Sequence, residues 1–220
     1  MVFDSYCDSG FDEPDNSAIA MALWCSIRTF ATHASELGNQ QPSEPVFFVK
    51  PNNCIQRDGP IRVSSHPGSV HHEVECVIRL GNKLEVEAIA VGLDLTDRDV
   101  QSQLRQEQLP WSRGKCFRGS AVIGNFTTWS GDFDSLCDGS LILTLSVNGE
   151  VRQKDRLSSM TIKPSVQIES LVQWAPVQPS DYLFTGTPSG VAQLHPGDKV
   201  IARLQTVDGK VISSIDSVCV

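Results

Sequence analysis

The chain lacks the cysteine patterns that mark a disulfide framework or a zinc site. Its 220 residues contain seven cysteines, an odd number, and no two of them are spaced as Cys-x-x-Cys. Structural zinc sites usually take closely spaced ligand pairs, and small secreted domains use even sets of cysteines. We therefore expect reduced, mostly buried thiols in a cytoplasmic protein.

The chain also lacks a basic surplus and a long hydrophobic run. Its formal net charge is −8 at pH 7, which argues against nucleic acid or an anionic membrane surface as a partner. The apolar run 18–27 is too short to cross a bilayer. Acidic residues precede that run, whereas a signal peptide begins with basic residues. An acidic substrate would therefore need a bound metal or specific lysines and arginines.

Strand patterns dominate what is present. The predicted strands are 22–27, 46–49, 61–64, 70–80, 84–95, 141–147, 151–156, 199–207 and 211–218. Asn148-Gly149 and Asp208-Gly209 predict two hairpins, the first with a type I′ turn. Helices are predicted at 97–108, with Thr96 as N-cap, at 164–174, and as one short turn at 32–37.

The order of these elements predicts the fold class. Strands and helices do not alternate as βαβ units, which favours an α+β, β-rich fold of curled sheets over a doubly wound sheet. Residues 1–17 are acidic, contain glycine and proline, and show no periodicity. We expect them to form an irregular tail that precedes one catalytic domain at 18–220.

The most informative residues are acidic. Glu73 and Glu75 lie in a predicted strand, where side chains alternate between faces, so both should point the same way. Two carboxylates that close repel each other unless something positive lies between them. Asp94, from a neighbouring strand, would complete an all-oxygen pocket suited to Mg²⁺, Mn²⁺ or Ca²⁺. The alternative is that the glutamates form the solvated face of an antiparallel strand.

Several short motifs follow one another in a fixed order. They are EPVFFVKP (44–51), HHEVE (71–75), LDLTDRDVQ (93–101), LPWSRGK (109–115), VNGEVRQ (147–153), SSM (158–160) and LFTGTPSGV (183–191). Together they resemble the fumarylacetoacetate hydrolase family, especially its short single-domain branch. That branch includes acylpyruvate hydrolases, oxaloacetate decarboxylases and diene-dioate isomerases. The resemblance covers about residues 20–218.

The resemblance implies a fold and a metal site. The family fold is a β-rich core of rolled, mixed sheets with a few peripheral helices, usually in a homodimer. In that family, the two glutamates of a His-x-Glu-x-Glu strand and the aspartate of an Asp-x-Thr-x-Arg-Asp segment hold one Mg²⁺ or Mn²⁺. Carried over by motif, these ligands are Glu73, Glu75 and Asp94.

The resemblance also places three further residues near the metal. Lys115 would contact a substrate carboxylate or enolate oxygen, where a positive charge stabilises developing negative charge. Thr187 belongs to a tight loop that would close on the substrate's carboxylate, and Gln101 would face the ligand. The alternatives are a solvated surface lysine, an ordinary structural turn and a solvent-exposed glutamine.

His33 and Glu36 are three residues apart and would share a face of a helical turn. In the hydrolytic branch of the family, such a pair lies on a lid and orients a water molecule, a role that suits general-base chemistry. A surface ion pair is the alternative. Relatives often read Arg-Asn-Tyr before this turn, whereas this chain reads Arg28-Thr29-Phe30, so the resemblance is weaker at the entry to the lid than at the metal site. We interpret His72 as a structural residue and not as a metal ligand.

The resemblance therefore indicates a Mg²⁺- or Mn²⁺-dependent enzyme acting on small 2-oxo acids such as acylpyruvates, fumarylpyruvate or oxaloacetate. Hydrolysis, decarboxylation and isomerisation all need a stabilised enolate, so the metal motif does not separate them. A non-catalytic metal-binding relative is a second hypothesis. A structural β-protein with an acidic face is a third.

Overall fold

The computed structural model describes residues 21–31, 36, 42–64, 66 and 68–220. Strands predominate in this part of the chain, which confirms the predicted α+β, β-rich class. The strands are β1 (Ala22–Ile27), β2 (Val46–Pro51), β3 (Ile55–Gln56), β4 (Val70–His72), β5 (Val74–Leu80), β6 (Val86–Asp94), β7 (Thr96–Asp97), β8 (Ala121–Ile123), β9 (Thr127–Thr128), β10 (Leu141–Val147), β11 (Glu150–Arg156), β12 (Tyr182–Phe184), β13 (Ala192–Gln193), β14 (Lys199–Thr206) and β15 (Val211–Val218).

Few helices accompany the strands. The α-helices are α1 (Arg98–Gln106), α2 (Ser112–Lys115) and α3 (Pro164–Leu171), and the 3₁₀ turns are Asn52–Cys54, Asp134–Cys137 and Leu157–Ser159. Among the described residues, no helix has the length and apolar character needed to cross a membrane. The predicted tail at 1–17 lies outside the described residues, as does the predicted turn at 32–37 except for residue 36.

The strands of the described residues form three sheets. The largest has the order β2-β1-β12-β5-β6-β8-β3, with β9 also paired to β6. It is mixed, because β1 runs parallel to β12 and β3 to β8, whereas β5 and β6 are antiparallel. A four-stranded sheet has the order β11-β10-β14-β15, and a three-stranded sheet has the order β13-β4-β7.

The largest sheet is covered on both faces. On one face, Ile78 and Val91 pack with Leu143 and Leu204 of the four-stranded sheet in the larger core. A smaller core that includes Val77, Ala90 and Phe184 covers the other face. Side chains alternate along a strand, so Glu75, two residues before Val77, belongs to the face with the smaller core. The site is therefore built on the side of the sheet that faces away from the larger core.

One strand prediction is wrong in a way that matters for function. The run 70–80 is not one continuous strand, because it breaks at Glu73 between β4 and β5. The two pieces belong to different sheets, since β4 pairs with β7 and β13, whereas β5 pairs with β6 and β12. Glu73 thus lies at a junction of two sheets, and simple alternation along a single strand does not set its direction.

Other boundaries shift for local reasons. The predicted strand 61–64 is reduced to one bridge between Ile61 and Cys219. The N-cap of α1 is Asp97, not Thr96, because the Asp97 carboxylate accepts the Val100 N–H. Helix α3 ends at Leu171, short of the predicted 174, and residues 172–174 form turns instead. The type I′ turn is confirmed, with positive φ at Asn148 and Gly149.

Candidate metal centre and active site

Three buried carboxylates meet at one point of the largest sheet. Glu73, Glu75 and Asp94 each offer an oxygen atom, and these atoms all lie within 4.8 Å of one another. The backbone sets this arrangement. The Asp94 N–H donates to the Glu73 carbonyl at 2.9 Å, and Glu75 pairs with Gly92 across β5 and β6. The cluster therefore forms despite the break in the strand.

Positive side chains surround the cluster and offset the repulsion among its carboxylates. Lys115 Nζ donates to Glu73 Oε2 at 2.8 Å and to Asp94 Oδ2 at 2.6 Å. Arg98 Nη2 donates to Glu73 Oε1. Burial disfavours the charge on Lys115, but Asp94 and Glu73 outweigh that effect and raise its pKa above the usual lysine value. Lys115 thus stays charged next to the carboxylates.

Close packing of two helices positions Lys115. Gly114, in α2, lies so near α1 that a Cβ atom would stand 2.9 Å from the Gln101 nitrogen and 3.0 Å from the Asp97 carbonyl oxygen. Only glycine fits this contact without moving backbone. The contact holds the last residue of α2 over the carboxylate cluster, where Lys115 Nζ also lies 5.0 Å from the centroid of the Phe48 ring.

A second buried lysine belongs to the site, and sequence reasoning gave it no role. Lys50 is fully buried near the end of β2. Its Nζ lies 2.7 Å from Asp94 Oδ1 and donates to the carbonyl oxygens of Leu95 at 3.1 Å and Ser120 at 2.7 Å. The only signal in the sequence is a lysine that follows the apolar run 46–49, inside a motif quoted above.

Glu75 differs from the other two carboxylates. Among the described residues it takes part in no salt bridge, and its Oε2 accepts the Gly186 N–H at 2.7 Å. Burial, and then the charges of Asp94 and Glu73, raise the pKa of Glu75 well above its usual range. An additional cation beside Glu75 would relieve this unfavourable charge.

The Thr187 loop, residues 185–191 between β12 and β13, is held in place by contacts with Thr29. Gly186 adopts φ 96°, and a side chain there would collide with Thr29. The Thr29 hydroxyl donates to the Thr185 carbonyl at 2.8 Å. Thr29 is therefore a buried tether for this loop.

Gln153 is another residue that sequence reasoning left without a role. Its Nε2 donates to Thr187 Oγ1 at 2.8 Å and to the Pro188 carbonyl at 2.7 Å. Its Oε1 accepts the Val74 N–H at 3.1 Å and lies 2.9 Å from His72 Nδ1. Burial lowers the pKa of His72, so a neutral imidazole fits this position. Gln153 thus links the Thr187 loop to the strand that carries Glu75.

One cavity opens onto the cluster. Besides the three carboxylates, the cavity is lined by three residues at the end of β1, three residues of α1, two residues at α2 and one residue of the Thr187 loop. These are Ser26, Ile27, Arg28, Arg98, Gln101, Arg105, Trp111, Lys115 and Thr187. Those of α1 are Arg98, Gln101 and Arg105, whose spacing of three and four residues places them on one helix face. Gln101 is 6% exposed and its Oε1 accepts from Arg98 Nη1 at 2.8 Å, so it faces the cavity and not the solvent.

Of the predicted pair His33 and Glu36, only Glu36 belongs to the described residues, and it is not among those that line this cavity. Glu36 is exposed, and its carboxylate accepts the Gly190 N–H at 3.1 and 3.2 Å. Glu36 therefore contacts the end of the Thr187 loop, whereas the three carboxylates, Lys115, Gln101 and Thr187 line the cavity together.

The donor set fits a hard divalent cation. All three acidic groups present oxygen, the ligand that Mg²⁺ and Mn²⁺ prefer. Each carboxylate has about four lone-pair sites, so the contacts to Lys115, Arg98 and Lys50 leave acceptor capacity. The raised pKa of Glu75 marks the place where positive charge is still lacking.

The chain is similar to known proteins over most of its length. Residues 22–213 match the family model described as fumarylacetoacetate (FAA) hydrolase C-terminal. The chain is 34% identical over 200 residues to the oxaloacetate tautomerase YcgM of Escherichia coli, covering 84% of this chain and 87% of that protein. It is 32% identical over 194 residues to a mitochondrial oxaloacetate decarboxylase of Dictyostelium discoideum, covering 82% and 87%.

A solved structure shares the fold. The fumarylpyruvate hydrolase of Pseudomonas aeruginosa, crystallised with Mn²⁺ and pyruvate, superposes with a TM-score of 0.77 at 29% identity. The match covers 91% of each chain. The rolled, mixed sheets expected from the sequence motifs are therefore also those of a known enzyme.

Proposed function

Because the chain belongs to the fumarylacetoacetate hydrolase family, we propose that it is a Mg²⁺- or Mn²⁺-dependent enzyme acting on small 2-oxo acids. The observation that carries this proposal is the meeting of Glu73, Glu75 and Asp94 with Lys115 in one cavity. When bound, the metal would polarise the 2-oxo group and stabilise the negative charge of an enolate.

Each group that lines the cavity has a distinct role in this proposal. Glu73, Glu75 and Asp94 would hold the metal. Lys115, already charged and aimed at the cluster, stabilises negative charge that develops on the substrate oxygen. Gln101 and the Thr187 loop bind and orient the substrate's carboxylate, and their buried contacts with Arg98 and Gln153 fix their positions before substrate arrives.

We place oxaloacetate first among the substrates. Both curated relatives named above are enzymes of oxaloacetate, one a tautomerase and the other a decarboxylase. Neither reaction requires attack by water. Tautomerisation requires only that a proton move between carbon and oxygen while the enolate charge is stabilised.

Hydrolysis of an acylpyruvate such as fumarylpyruvate is the second candidate. The likeness to the fumarylpyruvate hydrolase favours it. It would need His33 and Glu36 to activate a water molecule beside the substrate, as predicted from the resemblance. The two candidates share the metal ligands and Lys115, and they differ in their need for this pair.

A substrate panel on the metal-loaded protein tests the proposal. Oxaloacetate enol–keto conversion, carbon dioxide release and acylpyruvate cleavage would be measured on the same preparation. We expect at least one of them to exceed its rate without enzyme, and Asp94→Ala and Glu73→Ala to lose it while remaining folded by circular dichroism. Wild-type turnover in either variant, or no turnover with any substrate, would refute the proposed function.

We also propose a cytoplasmic homodimer. The cysteines in the described part of the chain are all free thiols, as in reducing compartments. Val46 and Val49 on the edge strand β2 are 41% and 40% exposed, and an apolar edge of this kind is usually covered. Light scattering during gel filtration would test the dimer, and a monomeric mass would contradict it.

A further inference from the structure

The Gln153 amide fits its surroundings in one orientation. Its side chain is fully buried, and two main-chain groups flank it. Oε1 accepts the Val74 N–H at 3.1 Å, and Nε2 donates to the Pro188 carbonyl oxygen at 2.7 Å. Turning the amide over would place two donors together at Val74 and two acceptors together at Pro188. The backbone therefore decides which end of the Gln153 amide faces each neighbour.

This orientation also decides the direction of the hydrogen bond between Gln153 and Thr187. Nε2 lies 2.8 Å from Thr187 Oγ1 and, as an amide nitrogen, can only donate. The Thr187 oxygen is therefore the acceptor, and its own hydrogen points away from Gln153. Within the described part of the chain, no residue accepts that hydrogen. The Thr187 hydroxyl thus has an unused donor whose direction Gln153 controls.

The unused donor belongs to the cavity. Thr187 lines the cavity together with Lys115 and the carboxylate cluster, and it is 5% exposed. A buried hydroxyl hydrogen without an acceptor is unfavourable, so a ligand oxygen placed there gains a hydrogen bond. A ligand N–H there could use only the remaining lone pair of Oγ1 and would leave the hydroxyl hydrogen without a partner. The Thr187 position therefore favours acceptor atoms.

We infer that Gln153 is a positioning residue that makes Thr187 a hydrogen-bond donor to a ligand oxygen in this cavity. Gln153 acts through Thr187, because it is fully buried and is not among the residues that line the cavity. The inference rests on the proposed function for the class of ligand, but the direction of the hydrogen bond follows from the protein alone. A change at Gln153 should therefore matter for ligands only while Thr187 carries its hydroxyl.

The tautomer of His72 reports the orientation of Gln153 without a metal or a ligand. His72 Nδ1 lies 2.9 Å from Gln153 Oε1. Because Oε1 is an acceptor, a neutral His72 must carry its hydrogen on Nδ1. If the amide were turned over, its NH₂ group would face Nδ1 and the hydrogen would lie on Nε2. We expect ¹⁵N NMR of the metal-free protein at neutral pH to show the Nδ1–H tautomer, and the Nε2–H tautomer would overturn the inference.

Binding of oxalate to the Mg²⁺-loaded protein tests the role of Gln153 towards a ligand. Oxalate presents only acceptor oxygens and is not a substrate of the proposed reactions. In Thr187→Val, we expect calorimetry to show about tenfold weaker binding, because a hydrogen bond to a charged group is lost. Thr187→Ser should bind nearly as tightly as the wild type. Gln153→Met should lose affinity in the same direction but less, since the Thr187 hydroxyl remains and only its direction is released.

The double variant separates this role from general damage. If Gln153 acts through Thr187, Gln153→Met combined with Thr187→Val should bind oxalate no more weakly than Thr187→Val alone. If Gln153 only supports the fold, its loss would weaken binding by the same factor whether or not Thr187 has a hydroxyl. Gln173→Met, at an exposed position outside the cavity, is the control for exchanging a glutamine. Should Gln153→Met fail to fold, the two Thr187 variants and the His72 tautomer still decide the question.

The outcomes distinguish this inference from the proposed function. Additive losses in the double variant, or wild-type oxalate affinity in Thr187→Val, would overturn the inference and leave the proposed function standing. If the metal-loaded wild type binds no oxalate and turns over no substrate of the panel, the proposed function is overturned, and the role of Gln153 towards a ligand with it.

Discussion

Lys50 Nζ lies 2.7 Å from Asp94 Oδ1, with both side chains almost completely buried. The same ammonium group donates to the carbonyl oxygens of Leu95 and Ser120, so its direction is fixed by three neighbours. Lys115 contacts the other oxygen of Asp94 at 2.6 Å. The Asp94 carboxylate is thus held between two lysines. Lys50 is fully buried and does not line the cavity, so it can influence a substrate only by positioning Asp94.

The first prediction concerns this positioning. Lys50→Met should reduce Mg²⁺ or Mn²⁺ affinity about 10- to 100-fold, the usual effect of losing a group that orients a metal ligand. It should also lower the free energy of unfolding by about 3 kcal/mol, because a buried charge loses a partner. Metal titration calorimetry and urea unfolding measure the two effects.

A double variant separates orientation from general damage. Lys50→Met combined with Asp94→Asn removes both charges of the pair and should recover part of the lost stability, but not the metal affinity. Lys154→Met, at an exposed position of β11, is the control for removing a lysine. Unchanged metal affinity in folded Lys50→Met would contradict the positioning role.

The second prediction uses the raised pKa of Glu75. Without metal, the folded protein keeps the Glu75 proton to higher pH than the unfolded chain does. The stabilisation from the protonated form is therefore complete below the ordinary glutamate value of 4.5 and is lost as the pH rises through the raised value. Glu75→Gln keeps an acceptor for Gly186 and does not titrate. Its melting temperature minus that of the wild type should therefore increase as the pH rises from that ordinary value through the raised pKa of Glu75.

Glu73→Gln is the matched comparison, because Glu73 is paired with Lys115 and Arg98. Losing that charge should destabilise the metal-free protein near neutral pH instead of stabilising it. Saturating Mg²⁺ should reverse the advantage of Glu75→Gln, since the metal stabilises only the wild-type ligand set. Parallel melting curves for wild type and Glu75→Gln over the whole pH range would show that Glu75 does not carry the unfavourable charge.

The third prediction concerns the metal itself. EDTA should remove activity, and Mg²⁺ or Mn²⁺ should restore it, whereas Zn²⁺ should restore it poorly because three carboxylates with open positions suit octahedral, oxygen-preferring ions. Activity after dialysis and stepwise metal addition is the measurement. Protein stripped to below one ion per ten chains that kept its full rate would exclude a metal-dependent reaction.

Local patterns predicted some elements well. The strands Leu141–Val147 and Val211–Val218 have the predicted bounds, because their side chains alternate and a turn lies beside each strand. The three carboxylates could also be predicted from the sequence, because recognisable motifs contain them. Such features depend on neighbours in the sequence or on spacing within a motif.

Features that depend on distant neighbours were not predictable. The break at Glu73 arises because its two flanking strands pair in different sheets, which the apolar run 70–80 does not reveal. The burial of Lys50 depends on Asp94, Leu95 and Ser120, and a lysine alone is usually exposed. The role of Gln153 likewise depends on distant residues, because its side chain joins the Thr187 loop to Val74 in the strand that contains Glu75.

The last prediction separates the two proposed reactions through His33 and Glu36. If this pair activates water, His33→Ala should reduce acylpyruvate hydrolysis about 10²- to 10⁴-fold, the usual contribution of a positioned general base. Oxaloacetate tautomerisation and decarboxylation should change much less, because they need no attacking water. Measuring all three reactions on one preparation cancels errors in concentration and folding. Metal affinity should remain at the wild-type value, since neither residue belongs to the carboxylate cluster.

Glu36→Ala provides the discriminating comparison, because the Glu36 carboxylate accepts the Gly190 N–H at the end of the Thr187 loop. If Glu36 serves only to anchor that loop, its loss should raise KM for every substrate by a similar factor and leave the ratio of the three rates unchanged. A selective loss of hydrolysis in both variants would support the water-activating pair. A uniform loss in both would assign the pair to loop closure, and wild-type rates in both would leave it as a surface contact.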